Sequence, residues 1–205
     1  MTSNTNSNQR RRSSASSRGE SKDALKEIIR IKVTSLGDGG VGKSCLIKRY
    51  CEGKFVSRYI ATIGVDYGVK PVSVGRFEVR VNFWDLSGHP EFFDVRNEFY
   101  KDTQGALLVF DVTSKTSFIN LGDWLAEANK FGMDASKCHV VVVGNKIDKS
   151  NGGDQKKQRA VSKRDAEEWA HARGFSYFET SAYTGEGVPE MFSSVFESIV
   201  KARYE

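Results

Sequence analysis

Residues Gly37 to Ser44 read GDGGVGKS, a match to G-x-x-x-x-G-K-[ST]. The residue types suit one task, the holding of phosphate. Glycines at Gly37, Gly39, Gly40 and Gly42 let the backbone curl until successive N–H groups point inward. A helix starting near Gly42 adds its free amides and the positive end of its dipole. Lys43 supplies a point charge for the outer phosphates. The Ser44 hydroxyl can sit on a Mg²⁺ that bridges two phosphate oxygens. Asp38, Val41 and Cys45 belong to the same phosphate-facing segment. At average glycine usage, a chain of this length matches the pattern by accident on the order of one time in a hundred. The context strengthens the match, because a strand-like run, Arg30 to Leu36, precedes the loop and a helix-compatible run, Cys45 to Tyr50, follows it.

Two further groups sit at the ends of apolar runs. Asp85 closes one such run, where a carboxylate can hold Mg²⁺, usually through water. Gly88 follows three residues later, and its N–H can approach a terminal phosphate with no side chain in the way. D-x-x-G alone is a weak signal; beside the phosphate loop it favours function. The segment Gly144-Asn145-Lys146-Ile147-Asp148 follows another apolar run. A carboxylate at Asp148 can accept from a base offering N1–H and a 2-amino group, as guanine does. Adenine offers neither at that corner and is rejected. Asn145 can tie loops together, and the Lys146 stem can lie over the base plane. In Thr180-Ser181-Ala182, the Ala182 amide can meet the guanine O6. The plain alternative for this cluster is a turn rich in Asn and Asp.

These groups need a scaffold. Ile29–Leu36 reads as a strand, Lys43–Glu52 as a helix, and 53–66 as a loop without period. Residues 67–74 and 77–85 alternate apolar and polar about a Gly75-Arg76 turn, which predicts a hairpin. GALLVFD (105–111) and HVVVVGN (139–145) are continuous apolar runs, as buried parallel strands show. Residues 176–180 form a short last strand. Helical patterns cover 91–100, 117–130, 163–173 and 188–203. Strands alternating with helices predict an α/β fold, a mostly parallel six-stranded sheet with one antiparallel edge hairpin and helices on both faces. Ligands of such sheets bind beyond the strands' carboxyl ends, where each motif above lies.

The 205 residues make one domain, set at 29–203, with a tail. No run approaches the ~20 apolar residues of a membrane span. Cys45, Cys51 and Cys138 are scattered and read as reduced thiols in an intracellular protein. The net charge is +5, of which +4 lies in residues 1–22, with Arg10, Arg11, Arg12, Arg18 and Lys22 against Glu20. The basic balance therefore belongs to the tail and argues only weakly for a nucleic-acid-binding fold, and no nucleic-acid partner is expected. That tail is rich in Ser, Asn, Thr and Arg and is expected to be disordered. Its arginine run fits a nuclear-import patch, an acidic-lipid contact or a kinase site at Ser14, or else a solvated tail with no partner. Residues 150–159 read as a mobile surface loop.

Taken together, GDGGVGKS, YIATIGVDY, WDLSGH, LLVFDVTSKTSF, GNKID and ETSAYTGEG give the chain, over about residues 29–200, a close likeness to a known family. It resembles the Rab-type small GTPases of the Ras superfamily, whose fold is the P-loop NTPase small G domain. Through RYCEGKF and SGHPEFFDVRNEFYKDTQG it is most similar to the Rab-like group known with an appended J domain (RJL). The resemblance implies a monomeric GTP hydrolase that binds GTP or GDP with Mg²⁺ held by Ser44, Thr62 and Asp85. It implies catalytic roles for Lys43, Thr62, Gly88 and position 89. Phe55 would pack on the guanine, with Tyr59 beside the nucleotide and Ser181, Ala182 and Tyr183 at the base. Tyr67, Trp84 and Phe99 would form the aromatic surface that effectors and regulators read; hairpin and core packing is the rival account of these three.

Several residues depart from that family's pattern. Its water-aligning glutamine is His89 here, which predicts slow hydrolysis, because a neutral imidazole accepts through one nitrogen while its donor points elsewhere. Pro90 biases His89 toward an extended backbone and suits a first helical position, so the segment after Asp85 is expected to be stiffer than in relatives. Tyr183 replaces a common lysine. With no cysteine near residue 205, no prenyl anchor is expected, nor is a J domain. The expected place is the cytoplasm, with the nucleus open through the tail and a ciliary association by analogy alone. Two rivals remain: a GTP-loaded adaptor that hydrolyses almost nothing, and an adenine-nucleotide kinase or ATPase, which conflicts with Asp148.

Overall fold

The computed structural model describes residues 27–150 and 158–205. The basic tail, and residues 151–157 of the expected mobile loop, lie outside the described residues. In chain order the elements are β1 (Glu27–Leu36), α1 (Lys43–Glu52), β2 (Val65–Val74), β3 (Phe77–Leu86), a 3₁₀ turn (Pro90–Phe92), α2 (Phe93–Asn97), β4 (Gly105–Asp111), α3 (Lys115–Ile119), α4 (Leu121–Lys130), β5 (His139–Asn145), α5 (Ile147–Ser150), α6 (Lys163–His171), β6 (Ser176–Thr180) and α7 (Val188–Tyr204).

One six-stranded sheet runs β2-β3-β1-β4-β5-β6. β2 pairs with β3 antiparallel, and every other pairing is parallel. β1 and β4 are neighbours, yet their chains leave toward opposite sides of the sheet. Their carboxyl ends therefore open a crevice where the loop after β1 sits.

The apolar runs become intelligible from both faces. In β4, Leu107 and Val109 point to the layer made by α1 and α7, with Leu46, Met191, Phe192, Val195 and Phe196. Ala106, Leu108 and Phe110 point to the opposite layer, with Leu121, Trp124 and Ala128 of α4 and Ala166 and Ala170 of α6. Successive side chains of a strand face opposite sides, so a strand covered on both must be apolar throughout. β2, at the edge, alternates half-buried and exposed residues instead.

The element ends differ in places from the sequence expectation. β2 begins two residues earlier, at Val65, because Asp66 and Val65 pair with Asp85 and Leu86. The helix expected over 91–100 is a 3₁₀ turn plus five residues of α-helix, since Phe99 N–H bonds to Arg96 O in the tighter pattern. The expected helix over 117–130 is split at Asn120, and Ser114 caps its first half by accepting from the Ser117 amide. α5 was not expected, because four residues carry no readable period.

Candidate functional site

The loop between β1 and α1 follows the geometry its glycines permit. Gly37, Gly40 and Gly42 have φ of 135°, 78° and 103°. A Cβ at Gly37 would collide with the Val109 carbonyl, and one at Gly42 with the Asn145 amide. No side chain caps α1, so its first-turn amides stay open to an anion. Lys43 is buried, and its ammonium donates to the carbonyls of Gly37 at 2.7 Å and Asp38 at 3.0 Å. Burial pushes that ammonium down to about 8, against the pull of Asp85 and Asp38. Val41 places its side chain in the core and its carbonyl on Asn145 Nδ2 at 2.9 Å. The Asp38 carboxylate leaves the loop for α4, accepting from Trp124 Nε1 at 2.7 Å and Asn120 Nδ2 at 2.8 Å. Toward the cradle, its backbone carbonyl accepts from Lys43.

Three oxygens converge beside Lys43. Ser44 Oγ lies 2.9 Å from Thr62 Oγ1, which donates to Asp85 Oδ2 at 3.4 Å. Ser35 donates to the other carboxylate oxygen at 2.7 Å and fixes the orientation of Asp85. Two hydroxyls and a carboxylate are hard oxygen donors, the set that fits Mg²⁺. Gly88 lies so close to Gly37, Asp38 and Gly39 that a Cβ would overlap their backbone. The D-x-x-G segment is thereby docked on the phosphate loop.

His89 sits at the rim. Its Nε2 is 2.8 Å from the Tyr59 hydroxyl, and its ring would be 3.1 Å from a Cβ at Gly39. Its backbone is extended, with φ −87° and ψ 137°, and Pro90 opens the 3₁₀ turn, as the residue order dictates.

At the other end, Asn145 is buried and bridges three segments. Nδ2 holds Val41 O, while Oδ1 accepts from Thr180 Oγ1 and the Ala182 amide, both at 3.2 Å. Lys146, at φ 69°, crosses to Gly40 O at 2.6 Å and pairs with Asp111 at 2.8 Å. Burial opposes ionisation of Asp111, yet hydrogen bonds from Lys146 and Thr113 hold its carboxyl below the usual range. Asp148 accepts from Ser181 Oγ at 2.5 Å. Phe55 meets Tyr183 edge-on, centroids 5.2 Å apart.

One cavity of about 270 Å³ runs from Gly39, Lys43, Ser44 and Thr62 at one end, past Gly88, His89 and Asn145, to Asp148 and Tyr183 at the other; Asp85 stands behind Thr62, outside its lining. Cys45 also lines it, its thiol pushed up by burial. Ser87 of the D-x-x-G segment lines it too, as do Lys48, Arg58 and Lys149, to which no motif pointed. Tyr67, Trp84 and Phe99 form a continuous aromatic row outside the cavity, with centroid spacings of 4.8 and 4.9 Å.

A cradle of uncapped amides and a buried lysine, with the oxygens of Ser44, Thr62 and Asp85 beside them, lies at one end of this cavity, and Asn145, Lys146, Asp148 and Tyr183 lie at the other. A model of the Ras family matches residues 32–201. The chain belongs to the Ras family. This Ras-family chain is 53% identical to DnaJ homolog subfamily C member 27 of Rattus norvegicus over 182 residues, 87% of the chain and 64% of the relative. The Homo sapiens protein of that name is 53% identical over 175 residues, 84% of the chain and 62% of the relative. That of Danio rerio is 51% identical over 177 residues, covering 85% and 63%. The chain spans somewhat less than two thirds of the length of these relatives. Their name agrees with the expected likeness to the J-domain-associated, Rab-like group.

Proposed function

We propose that this small GTPase is a guanine-nucleotide switch that binds GTP and GDP with Mg²⁺, hydrolyses GTP slowly, and shows partner proteins the surface that the triphosphate orders. One observation carries the reading: Ser44, Thr62 and Asp85 bring their oxygens together within hydrogen-bonding reach, beside the buried Lys43 ammonium. When bound, Mg²⁺ supplies charge neutralisation on the outer phosphates. The chain's own residues do the rest. The Gly37–Gly42 amides and Lys43 hold the phosphates, and the Gly88 N–H is available to the terminal one. Asp148 and Asn145 orient the guanine slot.

His89 accounts for the slow step. A glutamine both accepts from the attacking water and donates to the phosphate. The neutral imidazole has one donor and one acceptor, and Nε2 is engaged by Tyr59. The ring therefore cannot serve both atoms at once. The same contact favours a second reading, an adaptor that stays loaded with GTP; nucleotide extracted from purified protein would then be mostly GTP, whereas a cycling enzyme yields mostly GDP. On either reading the partners are effector and regulator proteins meeting Tyr67, Trp84, Phe99 and the loops at Thr62 and Gly88. The working place is the cytoplasm, and nucleic acid has no part in this reading.

Calorimetry of nucleotide-stripped protein with magnesium tests the core of this proposal. GDP and GTP should give saturable heat and ATP none. No heat from either guanine nucleotide, or a preference for ATP, overturns it.

A further inference from the structure

One side chain outside the cavity holds two of its walls together. Arg49, on the last full turn of α1, directs three guanidinium nitrogens at carbonyl oxygens of two other segments. Nε donates to Ala182 O and Nη1 to Gly53 O, each at 2.8 Å, and Nη2 donates to Tyr183 O. Its stem lies under the β6–α7 loop, with Cδ 3.7 Å from where a Cβ of Gly185 would be. Gly53 ends α1 in the left-handed region, at φ 68°, and returns a hydrogen bond to Arg49 O at 3.0 Å. Both ends of Arg49 therefore grip the turn that leads to Phe55.

The two segments so joined are the walls of the base slot. Phe55 stands two residues beyond Gly53, and its ring meets Tyr183 across the slot. Ser181, one residue before Ala182, donates to the carboxylate of Asp148. The loop between them closes on itself through Ser181 N–H to Glu186 O at 2.9 Å and Gly185 N–H to Ser181 O at 2.7 Å. Buried Ala182 shares a core cluster with Leu46 of α1, and its amide is held by Asn145; the guanidinium fork adds the hydrogen bonds that tie the Ala182–Tyr183 and Gly53 turns to each other. A planar fork with several donors in fixed directions can satisfy three carbonyls at once, and a single ammonium cannot.

We infer that Arg49 is a positioning residue for the purine, setting the lifetime of the bound guanine nucleotide by pinning Gly53, Ala182 and Tyr183. The inference rests on the nucleotide reading above. It concerns release, because the residue acts on the base end of the slot and leaves Lys43, Ser44, Thr62 and Asp85 alone. Affinity differences within one site fall mainly on the dissociation rate. Loss of charge-assisted hydrogen bonds that order both walls should speed release about tenfold or more.

Stopped-flow release of a fluorescent GDP analogue is measured for the parent, Arg49→Ala and Arg49→Lys, with magnesium present. Both variants should release about tenfold faster, with association within about twofold of the parent. Single-turnover hydrolysis by the preloaded complexes should also stay within about twofold, a split that general loosening of the fold would not give. Release within about twofold of the parent for Arg49→Ala, full restoration by lysine, or a parallel fall in hydrolysis overturns the inference. Should Arg49→Ala not fold, Arg49→Lys against the parent decides it. No binding by the parent overturns the nucleotide reading itself, and this inference with it.

Discussion

The imidazole of His89 is engaged by the chain itself, with its Nε2 sharing a proton with the Tyr59 hydroxyl at 2.8 Å. His89→Gln restores a side chain that accepts and donates at once, and single-turnover GTP hydrolysis should rise about tenfold, less than the span for groups that themselves transfer the proton, because this side chain orients the water. An unchanged rate would remove His89 from the reaction. At the base end, Asp148→Asn reverses the donor and acceptor sense of one corner. Competition binding should then show guanine nucleotides weakened by about a hundredfold and xanthine nucleotides favoured, the scale of one buried polar group left without its partner. Residues in short motifs were legible because the motif fixes backbone and chemistry within a few positions. Asp38 shows the limit: the pattern puts it in the phosphate loop, but its carboxylate answers Trp124, 86 residues away. Arg49 contacts Ala182, 133 residues away, and such a pairing leaves no local mark on the sequence.

At the scale of elements, α2 and α4 are joined by a buried ion pair. Arg96 Nε and Nη2 reach the two oxygens of Glu127 at 2.6 and 2.8 Å, with side-chain exposures of 6% and 16%. Its third nitrogen, Nη1, donates to the His89 carbonyl at 2.8 Å, and its plane lies 4.6 Å from the centroid of Trp124. Removing one partner strands the other charge, so Glu127→Ala should cost about 3 kcal/mol in urea denaturation, and Glu127→Gln less. The same clamp, with Pro90 at the first position of the 3₁₀ turn, fixes the segment after Asp85. Hydrogen exchange over residues 86–95 should therefore be similar with GDP and with a non-hydrolysable GTP analogue. A large difference would show that the clamp yields to the γ-phosphate. The strands were legible from the sequence because two-sided burial demands unbroken apolar runs, as in β4 and β5. The helix after Pro90 was not, because its length is set by Arg96 and Tyr100 finding Glu127, a contact between elements.

For the whole molecule, the site joins β1, β3, β5 and β6 through loops at one edge, so nucleotide and fold are thermodynamically linked. With free GDP at about a hundred times its Kd and magnesium present, stability should rise by about 2.7 kcal/mol, read as a higher Tm. Chelation should remove much of that gain. Ser44→Asn, which puts an amide where the converging hydroxyl stands, should lose the magnesium-dependent part while leaving the unliganded Tm nearly unchanged. The contact between Tyr59 and His89 has a kinetic corollary at this scale. Nothing can pass between two atoms 2.8 Å apart, so a visiting protein that offers a cation to the terminal phosphate from that side must wait for phenol and imidazole to part. The frequency of that parting is a ceiling on how often such help can arrive by that route, whatever the strength of the visitor's grip elsewhere.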